Sequence, residues 1–192
     1  MSAVHSATSR LTSASKRREA EERADGMSPT AHELRSNGVF AGLSPHHLDV
    51  VASCSIARHV AAGEHLFLEG EPADGFVLIR SGAIALELGA PGRHAIVIET
   101  LHDGEIVGWS WLFPPHRWHF DGRAIEPTDV LAFDGTFLRE ACESDHELGY
   151  ELINGFAGCM LQRLQATRIR LMDVSGVSDG SSAGAAVPAA PV

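Results

Sequence analysis

Short apolar segments alternate with turn-forming residues between positions 55 and 133 of this 192-residue chain. The apolar segments are 56–60, 65–68, 76–80, 84–88, 95–99 and 130–133. Glycine, proline and acidic residues separate them, at 63, 69–72, 81–82, 90–92, 103–104 and 126–127. Many short strands at this spacing are typical of an antiparallel sandwich or roll. We therefore predict a mainly β fold with flanking helices, an antiparallel β-roll of the double-stranded β-helix or jelly-roll type.

Helical signals lie on both sides of the strands. Ser44 is a good N-cap and the proline that follows it suits a first helical position, which predicts a helix with Leu48, Val51 and Ala52 on its apolar face. After the last strand, we predict a short turn that is capped by Asp134 and carries Phe137 and Leu138. We then predict a long helix over 146–173, a stretch without proline, with Asp145 as its cap.

Two apolar stripes run along the predicted long helix. One has the alternating spacing of a coiled-coil seam, and its members are Ile153, Ala157, Met160, Leu164, Thr167 and Leu171. The other lies on an adjacent face and comprises Leu148, Leu152, Phe156 and Cys159. Because a small roll offers too little surface for both stripes, we expect one to pack on the roll and the other to form a homodimer interface. The alternative is a single broad apolar face that is buried within a monomer.

Composition divides the chain into four parts. Residues 1–35 are rich in serine, threonine, alanine and charge, and residues 175–192 are mostly serine, glycine, alanine and proline. Neither end has the apolar residues needed to build a core, so both are predicted to be disordered. The predicted organisation is a tail over 1–35, a roll over 36–140, a dimerisation helix over 141–174 and a tail over 175–192.

Net charge and cysteine content exclude several classes of protein. A formal net charge of −10 argues against a general nucleic-acid binder and against adsorption to anionic membranes. The three cysteines, Cys54, Cys142 and Cys159, are far apart and odd in number, which argues against a disulfide framework or a structural zinc site. No signal peptide or membrane-spanning run is visible, so a reduced, cytoplasmic location is expected.

Five stretches carry a resemblance to a known family through their order and spacing. They are FAGLS at 40–44, GEHLFLEGEPAD at 63–74, FVLIRSGAI at 76–84, GEIVG at 104–108 and LQRLQAT at 161–167. The chain from about 40 to 174 resembles the cyclic-nucleotide-binding domains of bacterial cAMP-receptor and anaerobic-regulator proteins, the Crp/Fnr-like superfamily. This resemblance implies a sensor with a dimer helix and with cAMP or cGMP as ligand, whereas the residues by themselves establish no cofactor.

The chain departs from the family in the segment 108–120, which corresponds to the phosphate-binding cassette. In the family, backbone amides and an arginine hold the cyclic phosphate, and a glutamate just after the cassette glycine holds the ribose hydroxyl. Here Trp109 follows Gly108, and an indole cannot accept a hydrogen bond. An ungapped match places Trp118 at the position of the family's arginine, and a one-residue shift restores Arg117.

The resemblance also implies contacts from the long helix. Thr167 matches the position that contacts the purine in relatives that bind cAMP, and the neighbouring Arg168 could approach an anionic ligand. The candidate ligand residues are therefore Gly108, Trp109, Ser110, Arg117, Trp118, Thr167 and Arg168. Thr167 and Arg168 also suit plainer roles, a polar seam residue and a solvated charge.

Segment 108–120 contains three tryptophans, two histidines, two prolines and two phenylalanines. The aromatic residues could fill the roll, which would leave a ligand-free module that docks a partner protein. They could instead form a pocket for another planar or anionic ligand, with Trp stacking and Arg117 pairing. The third interpretation is ordinary cyclic-nucleotide binding. Under the second and third, the domain is a sensor that signals through its dimer helix.

Catalysis and direct DNA binding are not expected. His94, His102, His116 and His119 lie in or near strands, but they lack the spacing of a cupin-type metal site, so no bound metal is predicted. No nucleophile elbow is present, so no catalytic residue is assigned. Relatives carry a DNA-binding domain after the long helix, whereas a short tail follows it here. We therefore expect no helix-turn-helix and no direct operator contact by this chain.

Overall fold

Two four-stranded antiparallel sheets form the centre of the structure, a computed structural model that describes residues 31–89 and 95–176. The strands are β1 (Ser55–Val60), β2 (His65–Phe67), β3 (Gly75–Ser81), β4 (Ile84–Leu88), β5 (Ile96–Leu101), β6 (Ile106–Val107), β7 (Asp121–Ala124) and β8 (Thr128–Asp134). One sheet has the order β1-β8-β3-β6 and the other the order β2-β7-β4-β5. The predicted antiparallel β-roll is thereby confirmed.

Helices precede and follow the strands as predicted. They are α1 (Ala31–Arg35), α2 (Pro45–Ser53), α3 (Gly135–Ser144) and α4 (His146–Gly176). The Ser44 side chain accepts a hydrogen bond from the His47 amide at 3.2 Å, and the Asp134 carboxylate accepts from the amides of Thr136 and Phe137 at 2.9 Å. Both predicted caps are confirmed. The turn expected after Asp134 is longer than predicted, since α3 has 10 residues.

Strands β6 and β7 were not predicted, because neither has an alternating apolar pattern. Strand β6 has only two residues and is held by pairing with β3, in which Val77 lies opposite Val107. Strand β7 reads DGRA and lies between β2 and β4. A Cβ atom at Gly122 would overlap the ring of Phe67, so the glycine lets that ring cover the strand. Both strands exist because their neighbours supply the hydrogen bonds.

The predicted boundary of the N-terminal tail at residue 35 is wrong. Residues 31–35 form α1, whose Leu34 is fully buried in the core. Glu33 also accepts two hydrogen bonds of 2.8 Å from the Arg80 guanidinium. A buried leucine and this ion pair attach the helix to the roll. The rest of the expected tails, the turn at 90–92 and His94 lie outside the described residues.

The long helix α4 packs on the roll through one of its two stripes. Leu148, Leu152 and Phe156 are each exposed by no more than 1%, whereas the seam residues Ile153, Leu164 and Leu171 are 54%, 48% and 62% exposed. This confirms that one stripe covers the roll and leaves the other on the surface. The Phe156 ring lies edge-on to Phe76, with centroids 5.1 Å apart. Burial of apolar surface on this side holds α4 to the sheets.

Gly155 and Gly158 lie in the same helix and provide a matched pair of substitutions. A Cβ atom at Gly155 would overlap the backbone carbonyl of Val39, whereas nothing lies within 4 Å of one at Gly158. Gly155→Ala is therefore expected to lower the free energy of unfolding by about 1–3 kcal/mol, the cost of overpacking. Gly158→Ala should raise it by up to about 1 kcal/mol, because alanine favours helix. Urea unfolding of both variants measures the difference, and equal effects would contradict the predicted backbone contact.

Candidate functional site

The candidate site begins where β6 ends. Gly108 has a φ of +94°, a backbone conformation that L side chains rarely adopt. A Cβ atom at this position would lie 2.6 Å from the Trp118 ring. Glycine therefore serves both the turn and the close approach of the indole. The chain then continues through Trp109 into a short 3-10 turn at Ser110–Leu112.

Trp118 is held in place from two directions. Its backbone amide donates to the Glu71 carbonyl at 3.0 Å, and its carbonyl accepts from the Gly70 amide at 2.9 Å. Its ring stacks on Phe67 with centroids 3.9 Å apart and an interplanar angle of 15°. The indole is thereby held inside the roll, next to the turn at Gly108.

A cavity of about 80 Å³ remains among these aromatic rings. Its lining residues come from β2, β4, the cassette and α4, and they are Phe67, Leu86, Gly108, Trp109, Ser110, Trp118, His119, Phe120 and Arg163. Ligand pockets are typically larger, roughly 300–1,000 Å³. In this conformation the space is too small for a nucleotide, and most of its wall is apolar or aromatic.

Arg163 brings a positive charge from the long helix to this cavity. Its guanidinium carbon lies 4.9 Å from the centroid of the Trp109 ring, a cation–π contact. One guanidinium nitrogen, Nη2, donates to the carbonyl of Ile106, the first residue of β6. The other, Nη1, is buried and has no hydrogen-bond partner among the described residues. A buried charged donor without a partner is costly, and such groups often mark functional sites.

Arg163 also lines a second, larger depression. This open groove of about 380 Å³ lies between the segments 37–39 and 104–106 and the helix α4. The same side chain therefore borders both the aromatic cavity and the surface groove. A change in the cavity that moves this guanidinium would also alter the surface along α4.

Ser110 and His119 supply the remaining polar groups of the cavity. The Ser110 hydroxyl is buried and lies 3.2 Å from Nδ1 of His119, within hydrogen-bond distance. The His119 ring is exposed to solvent, so this pair lies at the edge of the cavity rather than in its interior. It can offer a hydroxyl and an imidazole to a ligand.

The structure brings together four of the seven candidate ligand residues. Gly108, Trp109, Ser110 and Trp118 line the cavity, whereas the other three candidates do not. Arg117 is exposed, and its Nη1 donates to the Gly70 carbonyl at 2.5 Å. On α4, the Thr167 hydroxyl donates to the Arg163 carbonyl at 2.9 Å. The remaining candidate, Arg168, is exposed.

Sequence reasoning missed five of the residues that line the cavity, and Arg163 is the charged one among them. It follows the buried Phe156 by seven residues, or about two helical turns, and therefore lies on the same side of α4. That spacing was a usable signal, because a charged residue on a buried stripe needs a partner or a function. The family resemblance instead indicated Thr167 and Arg168, which are exposed and do not line the cavity.

The remaining features of the described residues concern metal ligands, membrane spans and cysteine thiols. Within residues 31–89 and 95–176, no group of three or more His, Cys, Asp or Glu is placed to hold a metal ion. Over the same ranges, no helix is both long enough and apolar enough to cross a membrane. The three cysteines are free thiols and are half-buried. Burial raises the pKa of the Cys54 thiol to about 12.

Comparison with known sequences gives the same picture as the fold. Residues 57–145 match the cyclic nucleotide-binding domain family. The HTH-type transcriptional regulator Cmr of Mycobacterium tuberculosis is 29% identical over 160 residues, which cover 79% of this chain and 64% of the regulator. The chain thus spans somewhat less than two thirds of the length of this curated relative.

Solved structures extend the comparison to three dimensions. A Geobacter metallireducens GS-15 protein described as a cyclic nucleotide-binding protein is 29% identical, with a TM-score of 0.65 over 71% of this chain and 98% of that one. The catabolite activator protein of Thermus thermophilus shares the fold, with 22% identity and a TM-score of 0.57 over 72% of this chain and 63% of that one. By sequence and by fold, residues 57–145 therefore form a domain of the cyclic nucleotide-binding kind, similar to the domains of these regulatory proteins.

Proposed function

We propose that this chain is a non-enzymatic regulatory sensor, in which a small anionic ligand binds beside Trp109 and Arg163 and changes the packing of α4. One observation carries the proposal. The Arg163 guanidinium extends from α4 into the aromatic cavity and keeps its buried Nη1 donor without a partner in the described structure. An anionic ligand would satisfy this donor, and charge-assisted hydrogen bonds are the stronger kind.

The same side chain supplies a route for the signal. Arg163 contacts both the Ile106 carbonyl and the face of Trp109, so it connects β6, the cassette and the long helix. A ligand that took over the guanidinium would weaken one or both contacts. Because Arg163 is part of α4, its displacement would change how the helix packs on the roll. A ligand can shift the equilibrium only by its difference in affinity for the two arrangements.

Size and chemistry limit the ligand. A cyclic nucleotide does not fit the cavity of about 80 Å³ unless Trp118 leaves its stack on Phe67. Trp109 also removes the carboxylate that the family resemblance implies for the ribose hydroxyl, because an indole only donates. We therefore propose a ligand with a planar or apolar part that stacks on tryptophan and an anionic part that pairs with Arg163. Cyclic nucleotides are the first candidates, with Trp118 as the group to be displaced.

We assign the remaining candidate residues to the state in which a ligand has displaced Trp118. Arg117 is held by its bond to the Gly70 carbonyl and is otherwise exposed, so it can turn to an anion once that bond breaks. Thr167 and Arg168 lie four and five residues after Arg163 and would reach a ligand only if α4 moved or rotated. The backbone of Gly108 and the hydroxyl of Ser110 already border the cavity.

We further propose that α4 pairs with α4 of a second copy. Of the seam, Ile153, Ala157, Leu164, Thr167 and Leu171 are exposed, while Met160 is half-buried and packs against the core. Exposed apolar surface of this extent is unusual on a monomer. The spacing of the seam suits knobs-into-holes packing of two helices.

Calorimetric titration with cAMP and with cGMP tests the sensor. We expect saturable binding that Arg163→Met weakens by about 10- to 150-fold, the range for loss of a charged hydrogen bond. Trp118→Leu should strengthen cyclic-nucleotide binding, because the space no longer has to be vacated by an indole. Arg170→Met removes another exposed arginine of the same helix, one that does not line the cavity, and serves as the control. If neither the wild type nor Trp118→Leu binds either nucleotide, cyclic nucleotides are excluded as ligands.

Light scattering coupled to size exclusion tests the pairing of α4. The wild type should have the mass of a dimer at micromolar concentration, and Leu164→Glu should give a monomer or an aggregate. Burial of two carboxylates in an apolar seam accounts for this effect. Ile169→Glu is a matched control, since Ile169 is 59% exposed and lies on a different face of the helix. A monomeric wild type, or equal effects of the two variants, would contradict the interface.

The second candidate function is a ligand-free module that docks a partner protein. The observation in its favour is the exposed tip of the cassette, where Phe113 is 50% exposed beside two exposed prolines. Large aromatic side chains are common at the centres of protein interfaces. Saturable binding in the titration would exclude the ligand-free module, whereas the absence of heat with either nucleotide, even after Trp118 is replaced, would favour it.

A further inference from the structure

A buried histidine joins α2 to the start of α4, away from the aromatic cavity. His47 is only 5% exposed. Its Nδ1 lies 2.6 Å from a Glu151 carboxylate oxygen, and its Nε2 lies 3.2 Å from a carboxylate oxygen of Asp145. Both ring nitrogens are therefore within hydrogen-bond distance of an acceptor that cannot donate when ionised.

This geometry suits only the charged form of the ring. A neutral imidazole has one N–H donor, and its other nitrogen would then face a carboxylate with no proton between them. The imidazolium donates from both nitrogens and satisfies both carboxylates. The hydrogen bond to Glu151 accordingly raises the pKa of His47 above its ordinary value of 6.5, Asp145 adds to the rise, and burial opposes it.

Two further titratable groups, His46 and Cys142, lie beside His47, Asp145 and Glu151. The neighbouring His46 ring is exposed, with its centroid 5.9 Å from that of His47. Cys142 of α3 faces Asp145, and burial raises the pKa of its thiol, which keeps it uncharged near neutral pH. One histidine thus lies between two carboxylates.

Asp145 also caps α4. One of its carboxylate oxygens accepts from the backbone amides of Glu147 and Leu148 at 3.0 and 3.2 Å, while the other faces His47. Leu148 is the first member of the stripe that packs on the roll, and Glu151 lies one turn further along the helix. The protonated ring therefore attaches both the cap and the second turn of α4 to α2.

We propose that His47, Asp145 and Glu151 form a proton-binding site that acts as a second input to α4. The protonated ring fastens the start of α4 to α2, and loss of the proton releases it. This site lies apart from the ligand cavity, so a negative result for one of the two proposals would leave the other unaffected. Histidine suits the role because its proton exchanges near physiological pH.

The direction of the pH effect follows from linkage. A histidine whose pKa is higher in the folded than in the unfolded state contributes stability that is complete below the unfolded value of about 6.5. That contribution disappears as the pH rises through the folded pKa. The start of α4 should therefore loosen on the alkaline side and should be held most firmly at about pH 6.5 and just below.

Two measurements on the full chain test the proposal. An NMR titration gives the folded pKa of His47, which should lie above 6.5 and should fall in Glu151→Gln. Hydrogen–deuterium exchange of the peptide 145–156, corrected for intrinsic chemistry, should accelerate from pH 6 to pH 9 by up to about tenfold for each unit of that rise. His47→Gln keeps a donor but does not titrate, so its corrected exchange should be flat. His46→Gln changes the exposed neighbour and should behave as the wild type.

Several results would overturn the proton site. They are a His47 pKa at or below 6.5, a pKa unaffected by Glu151→Gln, and corrected exchange that is independent of pH in the wild type. Persistence of the same pH dependence in His47→Gln would also exclude it. If His47→Gln fails to fold, the wild-type pKa and the Glu151→Gln variant still decide the matter.

Discussion

The edge-on contact of Phe156 with Phe76 and Trp111 places α4 on the roll, and the rest of the structure depends on it. The ring centroids are 5.1 Å and 5.6 Å apart, and all three side chains are almost completely buried. Once Phe156 is seated, the rotation of the helix about its own axis is determined. Arg163, about two turns later on the same side, must then extend into the cavity, while the seam that contains Leu164 must face outward.

The tryptophans of the cassette have three different structural roles. Trp111 belongs to the core that receives α4, Trp118 fills the roll against Phe67, and Trp109 offers its ring face to Arg163. Trp109 is thus more than a missing carboxylate at a family position. It forms part of a contact between the cassette and α4, in which an aromatic face and a cation replace the hydrogen bond to a ribose hydroxyl that the resemblance implies.

Polar contacts link the long helix to the body of the domain at two places in the described structure. One is made by Arg163 near the middle of α4, and the other by Asp145 and Glu151 at its start. Apolar packing between them holds the helix in either case. Changes at the two polar connections could therefore alter how α4 lies without unfolding the domain, which is the behaviour that a regulatory helix requires.

Local features of the sequence predicted the fold well. The caps at Ser44, Asp134 and Asp145 were recognised because capping involves only the next three residues of the chain. Most strands and both stripes of α4 were recognised by their periodicity. Strand β7 was missed because its residues have no such pattern, and α1 was placed in the tail because five residues with a single leucine have little propensity of their own.

The sequence by itself determined the β-roll, the long helix and the division of that helix into two apolar stripes, since each follows from residue order and spacing. Only the tertiary structure decided which stripe is buried, and with it the inward position of Arg163. It also brought His47 to two carboxylates about a hundred positions away, and turned Arg117 towards the Gly70 carbonyl. Such contacts depend on the relative placement of whole elements, which is set by packing and leaves no local signal in the chain.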